Sequence, residues 1–140
     1  MPFKYLPDIA LADIAFEAES GTVDGLFEAA ALALTDIMVD PSTLGGVTTR
    51  DFDVSSDDLD TLLYDFLTEM IIAKDVDSLL FRTAKVKVGE DNRSLKATMT
   101  GERIDRVKHA LRNDVKAVTM HLFGVRKEGA AWKATVVLDI

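Results

Sequence analysis

Carboxylates near the two ends of this sequence are the residues best suited to chemistry. Asp13 begins a segment of alternating polar and apolar residues, and Asp139 ends another such segment. Each aspartate belongs to the polar face of its segment, and the α-carboxylate of Ile140 follows directly. If the two segments are neighbouring strands, these oxygens converge on one cavity of the kind that Mg²⁺, Mn²⁺ or Ca²⁺ prefers. The repulsion among gathered carboxylates favours a compensating cation there.

The same aspartates also have a simpler interpretation. An aspartate on the polar face of a strand usually faces water, and a terminal carboxylate is usually free in solvent. The spacing alone therefore leaves both a cation site and an ordinary polar surface open.

A second set of candidate residues lies in the segment 115–125, whose alternation predicts one long strand. Lys116 falls on one face of that strand, while Thr119 and His121 share the other. A half-buried Lys116 would neutralise the aspartates or hold a phosphate. The alternative is that its stem packs along the sheet and its ammonium reaches water.

Several common kinds of site are excluded. The chain has no cysteine, and it contains no phosphate-binding glycine loop, GxSxG or HExxH motif. Its two histidines are too few for a multi-histidine zinc site, and His109 is predicted to lie at the surface. Ordinary covalent catalysis is therefore not supported, although a metal-dependent phosphoester hydrolase using the same carboxylates remains open.

Charge and hydropathy restrict the partners. The net charge is −8, and no Lys/Arg run is longer than Arg126-Lys127, so strong direct nucleic-acid binding is not expected. An acidic surface suits a cation or a partner protein with a basic surface. No apolar run approaches the roughly 18–20 residues that cross a membrane, and no signal-peptide pattern is seen. We therefore expect a cytoplasmic protein with no membrane partner.

Two segments show the apolar spacing of amphipathic helices. The first is capped by Thr22 and ends before Pro41, and the second is predicted to begin at Ser55-Ser56, before the acidic pair Asp57-Asp58. The first apolar stripe comprises Val23, Leu26, Phe27, Ala30, Leu34, Ile37 and Met38. The second comprises Leu59, Leu62, Leu63, Phe66, Met70 and Ile71.

The remaining patterned segments alternate as strands do. They are 13–19, 51–54, 80–88, 95–99, 115–125 and 132–140. Hairpins dominate the second half, and strands do not alternate regularly with helices. The sequence therefore predicts one α+β domain, residues 1–140, in which two helices pack on one face of a mostly antiparallel sheet to form two layers.

Several stretches of the chain, in this order, resemble the archease family. The strand around Lys116 and the Asp139-Ile140 ending are the most specific of them. The matching stretches are Ala12-Asp13-Ile14-Ala15-Phe16, residues 26–34, residues 58–67, Gly101-Glu102-Arg103-Ile104-Asp105 with Lys108-His109, residues 115–121 and Asp139-Ile140.

The resemblance implies a function. Archeases are partners of RtcB-type RNA ligases, which seal tRNA halves in tRNA splicing; they promote guanylylation of the ligase and its multiple turnover. The resemblance implies a divalent cation (Ca²⁺, Mn²⁺ or Mg²⁺) bound through Asp13, Asp139 and Ile140. It further implies a role in activation for Lys116, with His121 as a second candidate. The chain itself is then an activator and not an enzyme; a general chaperone or interaction module is the remaining alternative.

The chain departs from the family pattern at two places. Ala10-Leu11 stands where the family often has His-Thr, so any role of that histidine is absent unless Asp8 substitutes for it. Met120 stands where an aromatic residue is common. Neither difference removes an expected carboxylate ligand.

Overall fold

The computed structural model describes residues 2–6 and 13–140, and this part of the chain contains two helices and eight strands. The helices are α1 (Val23–Met38) and α2 (Leu59–Asp77), and a short 3-10 turn spans Pro41–Thr43. The strands are β1 (Phe3–Leu6), β2 (Asp13–Ser20), β3 (Thr48–Ser55), β4 (Leu79–Val88), β5 (Ser94–Arg103), β6 (Ala117–Val118), β7 (Gly124–Glu128) and β8 (Ala131–Asp139).

Both helices begin at the caps that their sequences provide. The Thr22 hydroxyl accepts a hydrogen bond from the Gly25 N–H at 3.0 Å, so α1 starts where the sequence predicts. The predicted start of α2 at Ser55-Ser56 is wrong, because Ser55 is still the last residue of β3. Asp58 is the residue that caps α2, and its carboxylate accepts from the Thr61 N–H at 2.8 Å. The residues of both predicted apolar stripes are buried, except that the first residue of each stripe, Val23 or Leu59, is only half-buried.

The α+β class with predominantly antiparallel strands is confirmed, and the strands form two sheets. One sheet has the order β1-β2-β8-β6, with β7 also paired to β8 beyond β6. The other has the order β3-β5-β4. All of these pairings are antiparallel. Strand β1 has only four residues and is not predicted from the alternation of polar and apolar residues.

The core lies between the helices and the inner faces of the sheets. Helix α1 packs against β2 and β4, one strand from each sheet, and α2 packs against β4 and β6. Phe27 of α1 and Phe66 of α2 are fully buried, and their ring centroids are 6.0 Å apart. Burying such side chains stabilises the fold by roughly 1.5–3 kcal/mol each. No helix in residues 2–6 and 13–140 is long and apolar enough to cross a membrane.

The prediction of one long strand over residues 115–125 is wrong. The segment forms two strands, β6 and β7, which pair with different parts of β8 and are separated by a turn. Leu122 in that turn has φ 54°, a left-handed conformation that a continuous strand does not contain. Alternating apolar residues fit both arrangements, which is why the turn is not visible in the sequence pattern.

Candidate metal centre

Strands β2 and β8 lie side by side, and their register sets Asp13 directly opposite Asp139. Directly opposed residues of an antiparallel pair point to the same face, with Cβ atoms about 4.5–5.5 Å apart. Ile140 follows Asp139 and is half-buried against the core. The condition on which the predicted cavity depends, adjacency of these two strands, is therefore met.

The surroundings of the two aspartates, hereafter the acidic pair, are asymmetric. The next residues inward on the same face, Ala15 and Val137, are only 1% and 0% exposed. On the other side of β8, Ala117 of β6 stands opposite Asp139 and is exposed. The acidic pair is half-buried and thus lies between a water-excluding apolar row and solvent.

The donor set at this strand end consists of oxygen atoms. Within the described ranges 2–6 and 13–140, no group of three or more His, Asp or Glu side chains is placed to hold a metal ion. A cation at the acidic pair would therefore take two side-chain carboxylates, a main-chain oxygen of Ile140 and water. Hard divalent cations accept such mixed oxygen sets, whereas structural zinc prefers nitrogen and sulfur ligands.

Lys116 adjoins the acidic pair through its backbone. Its N–H donates to the Asp139 carbonyl at 2.8 Å, which extends the pairing of β6 with β8 by one residue. The sequence leaves open whether the Lys116 side chain is half-buried or reaches water, and in the structure this residue is exposed. In the described part of the chain its ammonium makes no ion pair within 4.0 Å of Asp13 or Asp139. Lys116 is thus an exposed cation at the border of the site, and its charge contributes to lowering the pKa of Asp114.

A buried lysine in α2 fixes the segment that leads to Lys116. The Lys74 ammonium, 7% exposed, donates to Asp114 at 2.5 Å and to the Val115 carbonyl at 2.8 Å. Burial alone would lower the pKa of Lys74, but its hydrogen bonds to Asp114 and Asp75 outweigh burial and raise it. The same hydrogen bond from Lys74 lowers the pKa of Asp114. The pairing of Lys74 with Asp114 cannot be predicted from the sequence, because the two residues are far apart in the chain.

His121 lies in the turn between β6 and β7 and is exposed. Phe123 in the same turn packs edge-to-face on Tyr64, with ring centroids 5.6 Å apart. The Tyr64 hydroxyl donates to the Val118 carbonyl at 3.0 Å. These contacts hold the turn against α2, and the neighbouring Met120 is 67% exposed. Asp8 and Ala10-Leu11, where the chain departs from the family pattern, lie outside the described residues.

The prediction that His109 is a surface residue is wrong, because His109 is only 5% exposed. Its Nδ1 accepts from the Asp105 N–H at 2.9 Å, so Nε2 carries the proton and donates to the Glu102 carboxylate at 2.7 Å. These two hydrogen bonds attach the irregular segment 104–109 to the C-terminal end of β5. The spacing Asp105-x-x-x-His109 is the only trace of it in the sequence.

Glu102 collects further donors at the end of β5. Lys108 lies 2.8 Å from one of its oxygens, and the Gly45 N–H donates to it at 2.6 Å. The hydrogen bonds from Lys108, His109 and Gly45, in that order of size, lower the pKa of Glu102 to about 2. Lys108, His109 and Gly45 thus hold the Glu102 carboxylate in place, and these four residues form a structural clamp.

The fold and the acidic pair together define a class: small two-sheet α+β proteins in which the first long strand and the last strand bring carboxylates together. The chain belongs to the archease protein family (MTH1598/TM1083), whose family model matches residues 3–140.

Individual relatives agree with this assignment. The archease of Methanosarcina acetivorans is 36% identical, with 99% of this chain and 95% of that protein covered. The archease of Pyrococcus abyssi is 35% identical, with 92% and 93% covered. The solution structure of Methanobacterium thermoautotrophicum protein 1598 is similar, with a TM-score of 0.81, 34% identity and 99% of each chain covered. The crystal structure of a Thermotoga maritima archease, described as a possible chaperone, shares the fold with a TM-score of 0.66, 19% identity and 96% of each chain covered.

Proposed function

We propose that this protein is a metal-binding accessory protein of an RtcB-type RNA ligase, which it activates in tRNA splicing by promoting guanylylation and multiple turnover. The protein itself is then not the catalyst. The observation that carries the proposal is the register of β2 and β8, because it sets Asp13 opposite Asp139 beside Ile140. Membership of the archease family and the resemblance described above support the choice of a ligase as the partner.

Asp13 and Asp139 would hold the divalent cation, with the main-chain oxygen of Ile140 as a third ligand. A cation bound there would neutralise phosphate charge beside the ligase's nucleotide site. Two carboxylates on the same face of adjacent strands repel each other, and this repulsion favours the binding of a cation between them. The buried row formed by Ala15 and Val137 excludes water from one side and strengthens that attraction.

Lys116 would contact phosphate rather than the carboxylates. Its exposed ammonium is not consumed by an ion pair with the acidic pair in the described part of the chain. Its backbone is fixed to Asp139, and the preceding residues are fixed to Lys74. An exposed ammonium whose backbone is anchored beside the proposed cation site suits an anionic substrate group. His121, exposed in the next turn, remains a candidate for a second contact with the ligase.

The overall charge supports docking onto a protein rather than onto RNA. A net charge of −8 opposes phosphate binding by the chain as a whole. An RNA ligase needs a basic surface for its substrate, and opposite surface charges speed the encounter of two proteins. The complex should therefore form more slowly as salt is added.

The test is guanylylation of a cognate RtcB-type ligase in the presence of wild-type protein, Asp139→Asn or Glu19→Gln. Glu19 lies on the same face of β2 at its far end, so it is a matched control for the loss of one carboxylate. We expect Glu19→Gln to stimulate as wild type does and Asp139→Asn to lose at least ten-fold, the effect of about 1.4 kcal/mol. Equal stimulation by all three proteins would remove the metal mechanism.

A chaperone function is the second candidate, favoured by the description of the Thermotoga maritima relative. It predicts suppression of aggregation across unrelated client proteins, without dependence on Asp13 or Asp139. Release of phosphate from a phosphoester by the protein and Mn²⁺ alone would instead favour a hydrolase.

A further inference from the structure

The outer edges of the two sheets differ in whether helix side chains hydrogen-bond to their backbone groups. On the outer edge of β4, the Val86 N–H donates to the Glu28 carboxylate at 2.9 Å, and the Val88 N–H donates to Asp24 at 2.8 Å. Glu28 and Asp24 are four residues apart on one face of α1. Side chains of helix α1 thus accept hydrogen bonds from backbone N–H groups on the outer edge of β4 and close this edge. Covering an edge with a helix is one of the ways in which proteins block unwanted strand pairing.

Helix α2 closes another edge in the same way. The Val125 N–H of β7 donates to the Asp60 carboxylate at 3.3 Å, and the Val118 carbonyl of β6 accepts from the Tyr64 hydroxyl at 3.0 Å. Both side chains come from the first two turns of α2. The edge made by β6 and β7 is therefore also occupied by a helix.

Strand β3 is eight residues long, and no helix side chain covers its outer edge in the described residues 2–6 and 13–140. In this part of the chain it pairs only with β5, and the Ser56 N–H donates to the Arg93 carbonyl in the same register. Hydrogen-bonded pairs recur at every second residue of an antiparallel ladder, so the N–H and C=O groups of Thr49, Asp51 and Asp53 point to the open edge. Across residues 2–6 and 13–140, none of these groups has a protein partner.

The exposed side chains of β3 select what can join this edge. Asp51 and Asp53 are both exposed on its outer face. Asp51 accepts a hydrogen bond from Thr98 at 2.9 Å, and neither aspartate forms an ion pair within the described ranges. A strand added to the edge sets its own side chains opposite these two. Opposite charges across strands stabilise the pairing and like charges oppose it.

From these contacts we propose that the open edge of β3 is a docking strand, which a basic, extended segment of a partner protein joins by adding a strand to the sheet. Main-chain hydrogen bonds would provide the affinity, and Lys or Arg at alternate positions of the segment would provide the selectivity. Pairing with a second copy of the chain is disfavoured for two reasons. An antiparallel pairing of two β3 strands centred on Phe52 sets Asp51 of one copy opposite Asp53 of the other, and each chain carries a net charge of −8. The proposal does not depend on a cation at the acidic pair.

The probe is a synthetic eight-residue peptide of alternating lysine and threonine, titrated into the intact ¹⁵N-labelled protein and followed by NMR. Two further peptides separate the contributions: one has glutamate in place of lysine, and one keeps the lysines but is N-methylated at alternate amides. We expect the lysine peptide to shift the amide signals of Thr49, Asp51 and Asp53 and to slow their hydrogen exchange. Neither of the other peptides should do so.

The protein variant Asp51→Asn/Asp53→Asn should bind the lysine peptide about two- to thirty-fold more weakly, the range expected for two cross-strand charge pairs. Glu19→Gln/Glu90→Gln removes two exposed carboxylates elsewhere and should bind as wild type does.

Three results would each overturn the proposal. One is no perturbation of β3 at millimolar lysine peptide, and another is equal binding of the N-methylated peptide, which means attraction without strand pairing. The third is a concentration-dependent dimer that protects the same amides in the absence of peptide. The peptide comparison needs only the wild-type protein, so it decides the question even if the double variant fails to fold.

Discussion

Asp13 of β2 and Asp139 of β8 stand directly opposite each other on adjacent antiparallel strands, at the strand end next to Ile140. Like charges in this position destabilise a sheet, and the two residues make no ion pair with a cationic side chain in the described ranges. The arrangement therefore costs stability in the absence of a cation, and a bound divalent ion would offset that cost.

This cost predicts the behaviour of Asp139→Asn without metal. Removing one of two opposed carboxylates should raise the free energy of unfolding in chelator by about 0.2–1 kcal/mol. Urea unfolding in EDTA measures it, with Glu19→Gln as the control from the same face of β2. A loss of stability in Asp139→Asn would contradict the repulsion on which the proposed site depends.

The clamp around Glu102 predicts an acid-sensitive contribution to stability. Its pKa is lowered from 4.5 to about 2, chiefly by the hydrogen bond from Lys108, so the folded state binds this proton less readily than the unfolded state. The stabilisation is present above pH 4.5 and is lost as the pH falls towards 2. The difference in stability between wild type and Glu102→Gln should accordingly shrink from pH 6 to pH 2 in urea titrations. A constant difference across that range would show that the carboxylate charge is not what matters.

The buried ammonium of Lys74 predicts an unequal pair of mutations. Lys74→Met leaves the Val115 carbonyl without its donor in a buried position, which should cost about 1–3 kcal/mol. Asp114→Asn should cost less than about 1 kcal/mol, because the Asp114 side chain is 81% exposed and its charge is screened by water. Chemical unfolding of the two variants compares them directly. Equal costs would mean that the ion pair, and not the carbonyl contact, holds this segment.

The closed edge of β4 predicts a further effect on stability. Asp24→Ala/Glu28→Ala removes the acceptors of the Val86 and Val88 N–H groups and should destabilise the protein by roughly 1–3 kcal/mol, the sum of two hydrogen bonds. Hydrogen exchange at these two amides should become faster. Asp24→Asn/Glu28→Gln keeps an acceptor oxygen at each position and is the matched control. If both double variants exchange at the wild-type rate, the side chains do not close the edge.

The sequence predicts the elements whose signals are local. Both helices follow from their apolar spacing, and α1 also from its cap at Thr22, because these interactions lie within a turn or two of the chain. Alternation likewise predicts β2 and β8, and their pairing puts Asp13 and Asp139 at one strand end. The division of the strands into two sheets is not visible, because pairing partners are chosen by tertiary packing.

The incorrect predictions arise in the same way, because tertiary contacts decide structures that local sequence signals do not. Residues 115–125 alternate as a strand does, yet Leu122 turns the chain, since β6 and β7 must reach different parts of β8. His109 is buried because Glu102 and the Asp105 N–H satisfy both of its ring nitrogens, and one polar residue in a sequence does not reveal such partners. Lys74 is recognisable only once Val115 lies beside it.

Calorimetric titration of the purified protein with Ca²⁺ and Mn²⁺ is the most direct test of a metal site at Asp13 and Asp139. We expect wild type and Glu19→Gln each to bind one cation per chain. At a free cation concentration of 100 times the dissociation constant, binding should stabilise these two proteins by about 2.7 kcal/mol. Asp13→Asn/Asp139→Asn should show neither binding heat nor stabilisation. Unchanged cation binding by that double variant, or no binding by the wild type, would contradict a metal site at the paired aspartates.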